Sequence, residues 1–419
     1  MLITLAFFIG YAASSSFVTE LPNVLPLRRR ETSALLPLTA ADSSFFFDVQ
    51  ITIGGQEFFV LADTGSSDLW VVGTGYRCFN GTDNQELPQS ACNYANATYN
   101  TSPTFRQIQN ETLGVQYGAG IATGCMGTED VTLGGVTVRG QEFGIADRLT
   151  NAGSGIDSGI LGLAYPSLTF AHPTTSVDNT SLRENHTTYN PLFTNMFQQG
   201  SVAPWFSIAI NRLAPGETSG PGGYLGLGEM PPINYSSTFA SAPVEVNRAI
   251  PPSITDGKSE FTEWTLSVDA VIWGHRNNTF QSTNTTRFQA IVDSGGVFNE
   301  LPAEVVDAVF AQYTKPPVLD PFSGAFMVDC DTIPPLFGLA IGGKTFFLLP
   351  EDMIYYNKDG SCQSSLVPGI SAEGPVAFTI SGPFLNNVVS VFDFGKNEMR
   401  FAARADGGGS LVYNNSSIC

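Results

Sequence analysis

Asp63-Thr64-Gly65 and Asp293-Ser294-Gly295 are two copies of one short pattern: an acid, a small hydroxyl residue and a glycine. The first follows the apolar run Phe58-Phe59-Val60-Leu61-Ala62, the second follows Ala290-Ile291-Val292. An acid at the exit of a buried strand sits at the edge of a core, partly stripped of water. The hydroxyl can bond to nearby backbone, and the glycine permits a tight turn. Two such loops brought face to face would hold two carboxylates at close range, where repulsion keeps one proton shared between them. A dyad of this kind can act as general base on a water while its protonated member polarises a carbonyl. For either acid alone, the alternative is a turn Asp that caps its own loop.

Each acid must be delivered by a strand and backed by another. Asp63 is followed 99 residues later by Gly162, at the end of Gly159-Ile160-Leu161-Gly162. Asp293 is followed 89 residues later by Gly382, after Ile380-Ser381. The order in both halves is apolar strand, Asp loop, long β-rich stretch, then an apolar pair ending in Gly. That is the mark of a duplicated unit, and a site fed by both copies belongs in the cleft between them. A chain of 419 residues is long enough for two such units, each with its own core. Alternating segments such as Phe47 to Ile53, bounded by Gly54-Gly55, predict strands. The expected class is all-β with a few short helices. One helix is expected over Pro302–Tyr313, where Val305, Val306, Val309 and Phe310 share a face, and another over Pro191–Gln199.

The net charge of −19, with only five lysines, argues against nucleic acid as a partner. It gives solubility, and at low pH protonation brings such a chain toward neutrality rather than high positive charge. Leu2 to Ala13 is an apolar run too short to span a bilayer, with a small-residue exit, so residues 1–16 read as a signal peptide without the usual preceding positive charge. Eleven Asn-X-Ser/Thr sequons follow, at Asn80, Asn96, Asn100, Asn110, Asn179, Asn185, Asn234, Asn277, Asn284, Asn414 and Asn415. They point to a secreted glycoprotein, with delivery to a vacuole as the alternative; no later segment reads as a membrane span or lipid anchor. Arg28-Arg29-Arg30 reads as a processing site before Glu31, as part of a basic prosegment, or as a solvated charge run. Six cysteines on a secretory route imply three disulfides, with fifteen pairings open.

Asp63 to Val71, Asp-Thr-Gly-Ser-Ser-Asp-Leu-Trp-Val, resembles the first active-site signature of the secreted, fungal-type pepsin-like aspartic proteases. Tyr117-Gly118-Ala119-Gly120 resembles the tip of their flap hairpin. Gly159 to Ala164 resembles the segment that crosses behind the first Asp loop, Ile380-Ser381-Gly382 with Phe384-Leu385 resembles its second-lobe counterpart, and Val391-Phe392-Asp393-Phe394 resembles the strand after it. The resemblance runs from about Phe47 to Ala402. It implies a bilobal fold with the active-site cleft between two β lobes: a prosegment and N-terminal strand over residues 17–41, an N-terminal lobe over 42–230, a C-terminal lobe over 231–402 and a polar tail over 403–419. It implies an aspartic endopeptidase, made as a zymogen, acting as a monomer on protein or peptide substrates, with no cofactor and no metal.

Residue by residue, the resemblance makes Asp63 and Asp293 catalytic. Thr64 and Ser294 match the residues whose hydroxyls cross between the lobes, with Gly65 and Gly295 beside them. Ser66 matches the donor to the outer oxygen of the first Asp. The corresponding hydroxyl after Asp293 is missing, because that place holds Gly296. A lost donor makes a carboxylate harder to ionise, so the working pH is expected to lie above that of relatives with both hydroxyls. Gly382-Pro383-Phe384 reads as one residue shorter than the family's usual run. Tyr117, Gly118 and Ala119 would form the flap, with Trp70 donating its indole N–H to the tyrosine. Leu61, Ile160, Ile291 and Ile380 would line apolar pockets and favour cleavage between bulky apolar residues, plain core being the alternative for each. The disulfides implied are Cys330–Cys362 and Cys78–Cys92. Cys125 with Cys419 is left by subtraction, the alternative being a free buried thiol at Cys125.

Other chemistry finds little support. His172, His186 and His275 lie in polar, loop-like sequence and read as solvated. No Gly-X-Ser-X-Gly elbow, His-Glu-X-X-His or paired Cys-X-X-Cys is present. Two rivals keep the carboxylates. A catalytically weak or inactive binding or inhibitory protein would use the cleft without chemistry. A glycosidase would need its two carboxyls about 5 Å or more apart.

Overall fold

In the computed structural model, Gln56–Asp63 is a strand that ends on the first acid, and Phe288–Val292 is a strand that ends one residue before the second. The structure describes residues 32–118, 120–150, 153–175, 182, 185–214, 216–274, 282–321, 323–369 and 378–406, with the backbone of 413–414. The apolar leader, Arg28–Arg30, Ala119, His275 and Cys419 lie outside them.

The two Asp strands have matching neighbours. Gln56–Asp63 pairs antiparallel with Phe46–Ile53 and parallel with Gly159–Gly162, which in turn lies antiparallel to the start of Leu69–Phe79. Phe288–Val292 pairs antiparallel with Thr265–Val268 and parallel with Phe378–Ile380, which bridges antiparallel to Asn299–Leu301. This is the duplicated unit expected from the sequence, and it is a bilobal pepsin-like fold built mostly of strands. The first strand is buried from Val60 to Asp63, where it meets its parallel neighbour, while Phe59 earlier in its apolar run is exposed.

Fifteen strands form one extended sheet, and sheets of five, five and four strands complete the rest. Ala34–Ala41 is an inner strand of the large sheet, between Ser219–Leu227 and Phe46–Ile53. The sheet passes from the first half of the chain to the second where Trp205–Ile210 pairs with Val388–Asp393. Over that junction Phe206 and Phe392 stack at 4.8 Å between ring centres, and Trp264 and Phe394 pack edge-on beside them. These rings anchor a core that is continuous behind both Asp loops.

The helices form where expected. Ala303–Phe310 buries Val305, Val306, Val309 and Phe310, with Pro302 fixing its entry. Leu192–Gln198 is the second. A third, Gly382–Leu385, was not anticipated; its four residues are all buried, and Pro383 sits in its first turn. Cys78–Cys92 and Cys330–Cys362 are disulfides, and Cys125 is a half-buried free thiol. His172 is a correction to the solvated reading. It is buried in a short strand, and its Nε2 lies 2.9 Å from the Gly114 carbonyl oxygen. His186 is half-buried and packs on Phe170, and burial lowers its pKa. Among the described residues, no helix is long and apolar enough to cross a membrane and no cluster of acids, His or Cys is arranged to hold a metal.

Candidate active site

The hydroxyl residues lock the two Asp loops together. The Thr64 hydroxyl donates to the Val292 carbonyl at 2.8 Å, and the Ser294 hydroxyl donates to the Ala62 carbonyl at 2.6 Å. In return the Thr64 N–H donates to Ser294 Oγ at 3.1 Å, and the Ser294 N–H donates to Thr64 Oγ1 at 2.9 Å. Each hydroxyl therefore donates once and accepts once across a two-fold arrangement. Both side chains are buried, so a misplaced loop would strand unpaired polar groups and cost about 1–3 kcal/mol for each.

The glycines let the carboxyls meet. A Cβ on Gly65 would lie 2.5 Å from the Asp293 carboxyl carbon, and one on Gly295 would lie 2.5 Å from Asp63 Oδ1. Only a residue without a side chain leaves room for the opposing acid. Gly65 N–H donates to Asp63 Oδ1 and Gly295 N–H to Asp293 Oδ1, both at 2.8 Å. Ser66 donates its hydroxyl to Asp63 Oδ2. The Asp293 carboxyl is held well above the usual range by burial, by the charge of Asp63 and by the hydrogen bond the two acids share. Carboxyls that share a hydrogen bond are closer than a two-carboxylate glycosidase allows.

A cavity of about 680 Å³ opens over the pair. That volume is within the usual range of ligand sites. Its roof is the hairpin of Arg106–Tyr117 and Gly120–Leu133, whose last ladder pair is Tyr117 with Gly120. Trp70 Nε1 donates to the Tyr117 hydroxyl at 2.8 Å. Burial and the charge of Asp68 push that phenol well above its ordinary value, so it stays protonated. Trp70→Phe is expected to lower kcat/KM by about fivefold while folding persists, since one hydrogen bond at the hairpin tip is worth about 1 kcal/mol. Steady-state kinetics beside a melting curve would check this.

Leu61, Ile160 and Ile291 line the cavity. Ile380 does not: it is fully buried behind the loop, and its neighbour Thr379 lines the cavity instead. The strand register gives the cause. Asp63 pairs with Gly162, whereas Val292 pairs with Ile380, so the residue opposite Asp293 is Ser381 and not Gly382. Side chains alternate along a strand, and a one-residue slip exchanges the two faces.

Sequence reasoning also missed Glu300 and Phe170, which line the same cavity. Glu300 bridges to Thr379 as Trp70 pairs with Ile160, so the duplication itself carried the signal for Glu300. Phe170 had no signal, because its backbone N–H is brought to the cavity by the distant Asp68 carboxylate.

The family model for eukaryotic aspartyl proteases matches residues 44–404. A probable aspartic-type endopeptidase of Aspergillus fumigatus is 38% identical over 86% of this chain and 79% of its own length. Penicillopepsin-1 of Penicillium janthinellum is 27% identical over 88% of this chain and 97% of its own, and human gastricsin is 27% identical over 88% and 84%. The crystal structure of an aspartic proteinase from Irpex lacteus shares the fold, with a TM-score of 0.66 at 20% identity over 90% of this chain and 98% of that one. The locked loops and facing acids thus sit in a chain that belongs to the eukaryotic aspartyl proteases and is an aspartic-type endopeptidase.

Proposed function

We propose that this endopeptidase hydrolyses peptide bonds between bulky apolar residues in acid, using Asp63 and Asp293 on one water. The observation that carries the reading is the facing pair itself, two acids sharing a hydrogen bond between loops that Thr64 and Ser294 lock in place. Asp63 accepts from the Gly65 N–H and the Ser66 hydroxyl and is the member that takes the proton from water. Asp293, the member whose proton is held more tightly, donates to the oxygen of the attacked carbonyl. The proton then passes to the leaving nitrogen, and no covalent intermediate is formed. Apolar walls from Leu61, Ile160 and Ile291 suit large hydrophobic side chains on either side of the bond.

The route is read from the sequence: an apolar leader and eleven sequons fit a secreted glycoprotein. Ala34–Ala41 is an inner strand of the sheet, which suits a mature chain that begins near Glu31 and keeps that strand. The lobe boundaries proposed are residues 42–230 and 231–402.

Hydrolysis of denatured haemoglobin by the secreted protein, followed from about pH 2 to pH 7, tests the function. Cleavage confined to acid and stopped by a statine-type transition-state analogue is expected. A folded, fully processed protein that binds the analogue but cleaves nothing would make it a cleft binder without chemistry.

A further inference from the structure

Gly296 and Ser381 explain one another. Ser381 is fully buried, and its hydroxyl has no hydrogen-bond partner among the described residues, although leaving a buried hydroxyl unpaired is destabilising. A Cβ placed on Gly296 would lie 2.5 Å from Ser381 Oγ and 2.9 Å from Asp293 Oδ2. The Ser381 hydroxyl therefore occupies the space that a side chain at position 296 would take, next to the outer oxygen of the second acid. In the first half the same two places are filled the other way round. Ser66 carries the hydroxyl and donates it to Asp63 Oδ2, while Gly162 faces the loop from the strand behind. A Cβ on Gly162 would lie 2.5 Å from Ser67 Cα and 2.6 Å from the Asp68 nitrogen. One half pairs Ser66 with Gly162, and the other pairs Gly296 with Ser381.

We propose that Ser381 is the positioning residue for Asp293, supplying from the strand behind the loop the hydroxyl that position 296 lacks. The inference rests on Asp63 and Asp293 being the catalytic pair. When Asp293 ionises, Ser381 Oγ turns to donate to Oδ2. Its own N–H is already fixed by Asn299 Oδ1 at 2.7 Å, so the backbone does not need to move. On this account the missing hydroxyl at 296 does not raise the working pH, because the donor has changed strands rather than vanished. Gly296 is then kept small by Ser381, not lost by drift.

The other acids lining this cavity are Asp63, Asp68, Asp157, Glu263 and Glu300. Asp63 is the other half of the pair and responds together with Asp293; the remaining four are untouched by an exchange at 296 and 381 and form a constant background for the pair.

The test is a cycle of Ser381→Ala, Gly296→Ser and the double exchange Gly296→Ser with Ser381→Ala, each read by the pH profile of kcat/KM. A hydrogen bond to a charged group is worth about 1.5 kcal/mol, so Ser381→Ala should move the alkaline limb, where Asp293 loses its proton, up by about one pH unit. Gly296→Ser alone should melt lower, for want of space. The double exchange should regain both the melting temperature and the wild-type limb. An unchanged limb in Ser381→Ala, or single effects that simply add in the double variant, would overturn the proposal.

Wild-type protein without acid hydrolysis would instead count against the catalytic pair. In that event a crystal structure near neutral pH decides for Ser381. Its Oγ within about 3 Å of Asp293 Oδ2 supports the role, and a bond to any other partner overturns it.

Discussion

Replacing Asp63 or Asp293 with asparagine is expected to lower kcat at least about a thousandfold at every pH, with the melting temperature held or raised. An amide cannot take a proton from water or give one to the carbonyl, and each such role is worth roughly 10²–10⁴ in rate. The two roles act on one water, so losing either should cost nearly as much as losing both. The fold has no need of the charge. Asparagine fills the same space between Gly65 and Gly295 and can still accept the loop N–H, as the acids do at 2.8 Å. In Asp293→Asn a group that is costly to ionise where it lies is replaced by a neutral one. Single-turnover hydrolysis beside a melting curve separates the outcomes. A variant that loses activity together with its fold would point to a structural role, and one that keeps more than a tenth of its rate would remove that acid from the chemistry.

The sequence announced this site because the chemistry demands residues that are local. Asp63, Thr64, Gly65 and Ser66 stand in one run, and each has a reason to be there that spacing alone supplies. The partners across the cleft were less legible. Nothing near Thr64 in the chain says that its hydroxyl will reach the carbonyl of Val292; only the duplication makes a symmetric exchange natural. Where the copies differ in length, the eye fixes on the wrong marker. Spacing alone makes Gly382 the counterpart of Gly162 and puts Ile380 in a pocket. The true register shifts by one residue, and with period-two side chains that exchanges Ile380 for Thr379 and brings Ser381 against the second Asp loop. His172 misled for a different reason. Pro173-Thr174-Thr175 after it looks like a loop, but a strand two residues long is set by what it pairs with, here Leu113 and Thr112 on the hairpin. Polar sequence marks exposure only where the backbone bonds are local.

Raising the pH should unfold the half that carries Asp63, and Asp68 should account for much of the loss. Asp68 is 2% exposed, accepts from the Phe170 N–H and from the Tyr189 hydroxyl at 2.8 Å, and has no cation beside it among its described partners. Burial pushes its pKa from 3.8 to about 7. A group that binds its proton more tightly when folded contributes stability below pH 3.8, and that contribution disappears as the pH passes 7. Three pKa units correspond to about 4 kcal/mol as an upper limit, a large share of the net stability of a domain.

Its surroundings push the same way. Burial raises Asp157 to about 6 and raises Asp48 beside it, the pair meeting at Ser154, and burial, with the charges of Glu111 and Asp68, raises Glu142 to about 7. Asp68→Asn keeps an acceptor for Phe170 and a polar partner for Tyr189 but cannot ionise. It should melt several degrees above the wild type at pH 7.5 and within about a degree of it at pH 3.5. Equal melting temperatures at pH 7.5 would mean that Asp68 stays paired and charged in the native state, and the neutral-pH loss would then belong to Asp48 and Asp157. An enzyme whose proposed chemistry needs one shared proton has little use for stability above the pH at which that proton leaves. Acids buried without cations are thus tolerable here, where in a protein working at neutral pH each would demand a partner.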